Sequence, residues 1–280
     1  MNARLRRRLL VGIPTYLLLI LGACVILVPF VWMLTTSLKP HSEIFIYPPR
    51  LFPRVWYWRN WIEAPSSSYV PLLIYVRNSL IICVPVVVAD VLVSALVAFG
   101  FARIQFRGAR PLFFVLLSTM MLPGQVTMIP MFIIFSRLGW VNTFLPMIVP
   151  AFFGWPYAVF LLRQFFASIS DQLDDAARID GCGIPGIFWY IHLPLAQPAL
   201  GIVAIFSFTG MWSEYFRPLI YLRDTALWPM SLAVQTYMGR TSRWEYVMVM
   251  SALTSLPPVM LFFLAQRSYV QGIVITGVKG

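Results

Sequence analysis

Six tracts of about 20 residues carry no charged side chain apart from one aspartate, and they constrain this chain more than any other feature. They run 13–34, 79–99, 112–135, 144–162, 195–213 and 247–266, and the single acid among them is Asp90. A helix rises about 1.5 Å per residue, so each tract is long enough to cross a hydrocarbon core of roughly 30 Å. The chain is 60% hydrophobic and 11% charged, where soluble domains run near about a quarter charged. A soluble core of this size could not hide so much apolar surface. The expectation is an all-α, polytopic membrane protein with six transmembrane helices, a single membrane domain over 1–280.

The net charge of +11 raises the question of nucleic acid. The arginines answer it by their distribution, in short groups between apolar tracts rather than on one basic face. They read as flanking charges that anchor helices at lipid headgroups. Cys24, Cys83 and Cys182 form no disulfide or metal framework and read as small hydrophobes. Leu21-Gly22-Ala23-Cys24 resembles a lipoprotein cleavage box, but the apolar run continues through Phe30, so an uncleaved first span is expected.

Prolines interrupt the third, fourth and sixth tracts, at Pro123-Gly124 and Pro130, at Pro146, Pro150 and Pro156, and at Pro257-Pro258. Membrane helices tolerate proline where neighbouring groups satisfy the freed carbonyls; kinked helices around a pathway are the other reading. The short basic segments Arg4 to Arg8 and Arg103 to Arg110 favour a cytoplasmic N-terminus. Over the whole chain that orientation places eleven basic residues inside and ten outside, Lys279 among the inner ones. An even number of spans then puts both termini in the cytoplasm. The outer loop 35–78 is rich in tryptophan and tyrosine, and 163–194 is the one long polar stretch on the inner side.

Several chemistries are missing. The phosphate loop G-x-x-x-x-G-K-[ST] needs a lysine after its glycine. Lys39 and Lys279 are the only lysines and neither sits in such a run, so ATP hydrolysis by this chain is excluded. His41 and His192 are far apart, and no metal-binding or catalytic constellation is expected. Asp171, Asp174, Asp175 and Asp180 lack the alternating spacing of a calcium loop.

The informative segment is Ser170-Asp-Gln-Leu-Asp-Asp-Ala-Ala-Arg-Ile-Asp-Gly181, continuing to Ile191-His-Leu-Pro194. Ser170 is a good N-cap, and Asp171, Asp174 and Asp175 put negative charge in the early turns. Gly181 suits the left-handed position that ends a helix, and Pro185 suits the first turn of another. Two short helices follow, with Leu173, Ala176, Ala177 and Ile179 as apolar contacts. Small alanines let a second protein approach the backbone closely. An amphipathic helix resting on the membrane fits the same physics.

Asp175-Ala176-Ala177, three residues, Gly181, nine residues, Ile191-His192-Leu193-Pro194 resembles the E-A-A-x₃-G-x₉-I-x-L-P loop of ATP-binding-cassette (ABC) importer permeases. The one departure is Asp175 in place of the usual glutamate, which keeps the charge on a shorter arm. Ser37-Leu38-Lys39-Pro40, Arg77-Asn78-Ser79-Leu80, Ala98-Phe99-Gly100-Phe101-Ala102-Arg103, Trp212-Ser213-Glu214-Tyr215 and the tail Gly277-Val278-Lys279-Gly280 are similar to the carbohydrate-uptake branch, and to the shorter permease subunit of maltose-type importers. The resemblance implies the type I importer permease fold, no cofactor in this chain, and ATP with Mg bound by a partner. It implies a place in the inner membrane, with a second permease subunit, a cytoplasmic ATPase dimer and an extracytoplasmic solute-binding protein as partners. It also implies that the loop docks into the ATPase, with Leu173, Asp174, Asp175, Ala176, Ala177, Asp180, Gly181, Ile191, Leu193 and Pro194 as coupling residues.

Asp90 lies mid-span, where a charge needs a partner or water. It either lines a solute path, pairs with an arginine, or is a protonated carboxyl bonded to a neighbouring helix. Trp212, Glu214 and Tyr215 either stack on and bond a sugar or form an interfacial belt. The solute expected is a sugar or sugar-like molecule. Importer permeases for glycerol phosphodiesters, polyamines or amino acids are the near alternative. An ion-coupled secondary transporter is the remote one, since it calls for several midplane ionisable groups.

Overall fold

The computed structural model describes residues 3–66, 72–240 and 243–277. Val278, Lys279 and Gly280 of the expected tail motif lie outside the described residues. In chain order the helices are α1 (Ala3–Ser37), α2 (His41–Ile44), α3 (Asn60–Ser66), α4 (Leu72–Arg103), α5 (Ala109–Thr119), α6 (Gly124–Arg137), α7 (Leu145–Ile148), α8 (Pro156–Ser168), α9 (Asp171–Ile179), α10 (Ile184–Gly186), α11 (Leu193–Leu195), α12 (Gln197–Trp212), α13 (Phe216–Tyr221), α14 (Met230–Arg240) and α15 (Trp244–Gly277). Among the described residues there is no strand.

Four helical segments are long and apolar enough to cross a membrane: Pro14–Ser37, Leu72–Arg103, Leu145–Ser168 and Trp244–Ala265. The third and fifth tracts differ from simple spans. Pro123 and Gly124 break the third into α5 and α6, bent by 95°, and the segment Ile184–Leu195 meets α12 at 77°. A proline lacks the N–H that would continue the ladder, which is why the break falls there. Counting each bent pair as one crossing gives six. Within Leu145–Ser168 the helix also changes character, through a 3₁₀ turn over Val149–Phe153 and Gly154 at φ 85° before Pro156 restarts it.

The described residues divide between two compact units, one drawn from Met1–Pro71 and Val234–Thr254, the other from Leu72–Ala233 and Ser255–Gly280. In the first, the turn Ser37-Leu38-Lys39-Pro40 is tied by Asn60, whose Nδ2 donates to the carbonyls of Ser37 and Lys39, each at 2.9 Å. Lys39 Nζ donates to the Arg50 carbonyl at 2.6 Å. Burial pulls its ammonium below the usual lysine range, opposed by the charge of Glu43. The fully buried carboxylate of Glu245 is held by His41 Nδ1 at 3.1 Å and Arg243 Nε at 3.0 Å.

In the second unit α4 is the central helix, packed mainly against α8 and α12. Apolar burial brings little gain in lipid, so close approach of small residues carries helix association there. Ala95 and Ala98 on α4, Ala158 on α8 and Ala199 on α12 are all buried in one cluster there. Asn78 Nδ2 donates to the carbonyls of Ala226 (2.8 Å) and Trp228 (3.1 Å), and Ser79 Oγ accepts from the Met230 amide at 2.8 Å. The motif entering the second tract thus pins the segment leading into α14. Leu17, Leu18, Val88, Leu96 and Phe114 point outward and are exposed, as lipid-facing side chains are.

Candidate functional site

The loop after α8 folds as its capping residues dictate. Ser170 Oγ accepts from the Gln172 amide, and Asp171 and Asp174 occupy the first turn of α9. At the far end Gly181 takes φ +80°, its amide donates to the Arg178 carbonyl at 3.0 Å, and the Cys182 amide donates to the Ala177 carbonyl at 2.8 Å. These two bonds form a Schellman motif, which satisfies carbonyls the helix leaves free. Pro185 opens the next helical segment, which runs from α10 through a π-helical turn over Ile187–His192 into α11. Gly186 in that segment sits where a Cβ would lie 2.5 Å from Cys182 Sγ.

The two faces of α9 differ. Leu173, Asp175, Ala176, Ile179 and Asp180 are exposed, Ile179 at 87%. Ala177 and Asp174 are buried. Ala177 joins the internal cluster of Phe99, Phe166, Ile187 and Phe188, so its small size serves packing within this chain and leaves Ala176 as the alanine open to a partner. Asp174 Oδ1 lies 2.7 Å from His192 Nε2, and its Oδ2 lies 3.8 Å from Arg103 Nη1. Ile191 and Leu193 are half-buried against the same cluster, while Pro194 is exposed. Asp175 keeps only an exposed 3.7 Å contact with Arg178.

Inside the second unit, Asp90, Ser207, Gly210, Trp155, Glu214 and Arg217 are among the residues lining a cavity of about 350 Å³. A second cavity of about 530 Å³ shares Pro150, Glu214 and Arg217 with it and extends along Gln125, Met128 and Met131 to Tyr221. Ser207 Oγ donates to Asp90 Oδ2 at 2.6 Å, joining α4 to α12. Glu214 pairs with Arg217 (Nε to Oε2, 3.0 Å), and its other oxygen accepts from the amides of Phe216 and Arg217 at the start of α13. Burial raises the Tyr221 hydroxyl above its usual range, with the Arg217 charge opposing.

Of the four pathway candidates, Asp90 and Glu214 line this space. Trp212 is buried at 3% exposure and stacks on Phe208 at 5.4 Å, and Tyr215 lies against Phe216 at 5.6 Å; neither lines either of these two cavities. Sequence reasoning missed Ser207 and Arg217. Arg217 could have been found as a charge three residues after Glu214 in apolar surroundings. Sequence reasoning placed Arg103 in the Ala98–Arg103 motif and in a basic flanking segment, without the partners it finds in the structure. Among the described residues no group of three or more His, Cys, Asp or Glu could hold a metal.

Residues 90–275 match the family of binding-protein-dependent transport system inner membrane components. The chain is 30% identical over 278 residues to the probable ABC transporter permease protein YurM of Bacillus subtilis, covering 98% of this chain and 91% of the relative. It is 34% identical over 204 residues to the arabinooligosaccharides transport system permease protein AraQ of Halalkalibacterium halodurans, covering 72% and 73%. With the sn-glycerol-3-phosphate transport system permease protein UgpE of Yersinia pestis it shares 28% identity over 92% and 94% of the two chains. Its fold is similar to that of a chain in the crystal structure of a bacterial ABC transporter involved in the import of the acidic polysaccharide alginate, with TM-score 0.78 at 22% identity, covering 94% and 98%.

Proposed function

Since this chain belongs to the family of binding-protein-dependent transport system inner membrane components, and is thus a non-catalytic ABC importer permease of the inner membrane, we propose that it forms half of the translocation pathway for a sugar or sugar-like solute. Membership implies an ATPase and a solute-binding protein as partners. The other half of the pathway is a second permease subunit, and lipid surrounds the pair. ATP and Mg bind the ATPase dimer in the cytoplasm, both termini of this chain face that side, and residues 1–280 act as one permease domain.

The loop 170–194 is the ATPase-docking element. What supports this most is its form: a helix capped by Ser170, closed by Gly181 at φ +80°, and presenting Leu173, Asp175, Ala176, Ile179 and Asp180 to the outside. Closure of the ATPases moves this loop, and the helices carried with it switch the cavity around Asp90 and Glu214 between inward and outward access. The hydroxyl and carboxylates there suit a solute rich in hydroxyl groups.

The arabinooligosaccharide relative favours an oligosaccharide. The sn-glycerol-3-phosphate relative favours a second reading, a small phosphorylated polyol. Uptake into proteoliposomes holding the chain with its partner permease, ATPase and binding protein separates them. ATP-dependent uptake of a labelled oligosaccharide, competed by unlabelled oligosaccharide and untouched by sn-glycerol 3-phosphate, supports the first; the reverse pattern supports the second. ATP-dependent uptake of neither, with an amino acid or polyamine accepted instead, contradicts both.

A further inference from the structure

We propose that Arg103 is a positioning residue that, with Asp174 and His192, clamps the coupling loop to the helices so that the two move as one body. The proposal rests on the reading of 170–194 as the docking loop.

Arg103 is the last residue of α4, at the end of a span, where a lone arginine ordinarily extends its guanidinium into water. Its side chain is instead only 6% exposed. Nη2 donates to the carbonyls of Phe166 (2.7 Å) and Ile169, and Nη1 donates to Asp171 and faces Asp174. Phe166 lies in the last turn of α8 and Ile169 is the residue that caps it, and the carbonyls of a helix C-terminus carry partial negative charge. Asp171 and Asp174 stand in the first turn of α9. One cation therefore ties the end of one helix to two carboxylates at the start of the next.

The second oxygen of Asp174 extends the cluster to His192 on the π-helical turn. The imidazole is wholly buried, with ring centroids 5.0 Å from Phe99 and 5.6 Å from Phe166. Such turns often mark functional positions within helices. The loop pattern I-x-L-P leaves the position of His192 open, so the histidine is not part of the family resemblance. Arg103, Asp174 and His192 thus join α4, the end of α8, α9 and the segment leading to α12 at one buried charged point. Holding a loop on a surface requires no buried ion pair, because apolar residues of equal volume do so without desolvating charges. A buried pair specifies one geometry, and displacement passes between sites only through elements that keep theirs.

The test uses the native Cys182, half-buried just after Gly181. Cys24 and Cys83 lie within α1 and α4, in the candidate spans. The full chain in lipid nanodiscs is treated with a charged maleimide, and the rate of Cys182 labelling is followed. Arg103→Gln and Asp174→Asn should each raise that rate roughly tenfold or more, Arg103→Lys should recover part of the wild-type protection, and the exposed Asp175→Asn should leave it unchanged. In the assembled importer both clamp variants should retain the ATPase and hydrolyse ATP, but use roughly fivefold or more ATP per solute imported. Unchanged labelling in both variants overturns the clamp. Faster labelling with wild-type ATP use per solute overturns its role in coupling. If the wild-type chain retains no ATPase, the docking reading fails instead, and the labelling rates still decide the clamp.

Discussion

Asp174 and His192, eighteen residues apart in sequence, meet at 2.7 Å inside the second unit, with the imidazole fully buried and the carboxylate nearly so. Removing the carboxylate strands both the imidazole N–H and part of the Arg103 charge. Asp174→Ala should therefore destabilise the chain by about 3–5 kcal/mol, the range for breaking a buried ion pair. Asp175→Ala, whose contact with Arg178 is exposed, should cost no more than about 0.5 kcal/mol. Thermal unfolding in detergent of the two variants checks this ordering, and equal losses contradict it.

At Gly181 the backbone matters and space does not, since nothing lies within 4 Å of where a Cβ would be. Gly181→Ala should cost about 1–2 kcal/mol through its left-handed backbone alone. At Gly186 the obstacle is Cys182 Sγ, the tip of a side chain. Cys182→Ala should recover most of the loss in Gly186→Ala and none of that in Gly181→Ala. A double-mutant cycle on unfolding midpoints measures it; additive losses at Cys182 and Gly186 contradict the contact.

In the cavity, Glu214→Gln and Ser207→Ala should lower uptake while the importer stays assembled with its basal ATP hydrolysis. Glu214→Gln breaks the pair with Arg217, and Ser207→Ala removes the hydroxyl that donates to Asp90. Trp212→Ala should behave differently, since Trp212 is buried on Phe208. Its loss should appear as destabilisation of about 3–5 kcal/mol. Normal uptake in both cavity variants returns these residues to a structural role.

The capped loop and the apolar tracts were legible in sequence because their causes are local. Ser170, Gly181 and Pro185 each act within a few residues, and a charge-free tract declares its own solvent. The 95° turn at Pro123-Gly124 was legible as an interruption but not as an angle, because what the freed carbonyls meet is set by distant helices. Likewise nothing local separates Ala176 from Ala177; only the cluster built from α4, α8 and the π-helical turn turns one inward. Asp90 was legible as an anomaly, whereas its donor Ser207 lies 117 residues away on another helix.

Orientation is open to a direct check. Reporter fusions after Phe101 and after Ile169 should report cytoplasm, and fusions near Arg54 and Arg240 the opposite side. The basic segments Arg4 to Arg8 and Arg103 to Arg110 motivate this order. A cytoplasmic signal at Arg54 contradicts it and removes the loop 170–194 from the side where an ATPase could dock.

Docking itself is tested by the amount of ATPase that co-purifies with the membrane subunits when the exposed face of α9 is changed. Ala176→Trp places a large side chain on that face without disturbing the buried Ala177, and Gly181→Val strains the turn that ends the helix. A docked loop predicts that both variants reach the membrane at wild-type levels, lose most of the bound ATPase and stop ATP-driven uptake, while Asp175→Glu retains both. If Ala176→Trp and Gly181→Val hold the ATPase and transport at wild-type rates, the loop does not couple this permease to ATP.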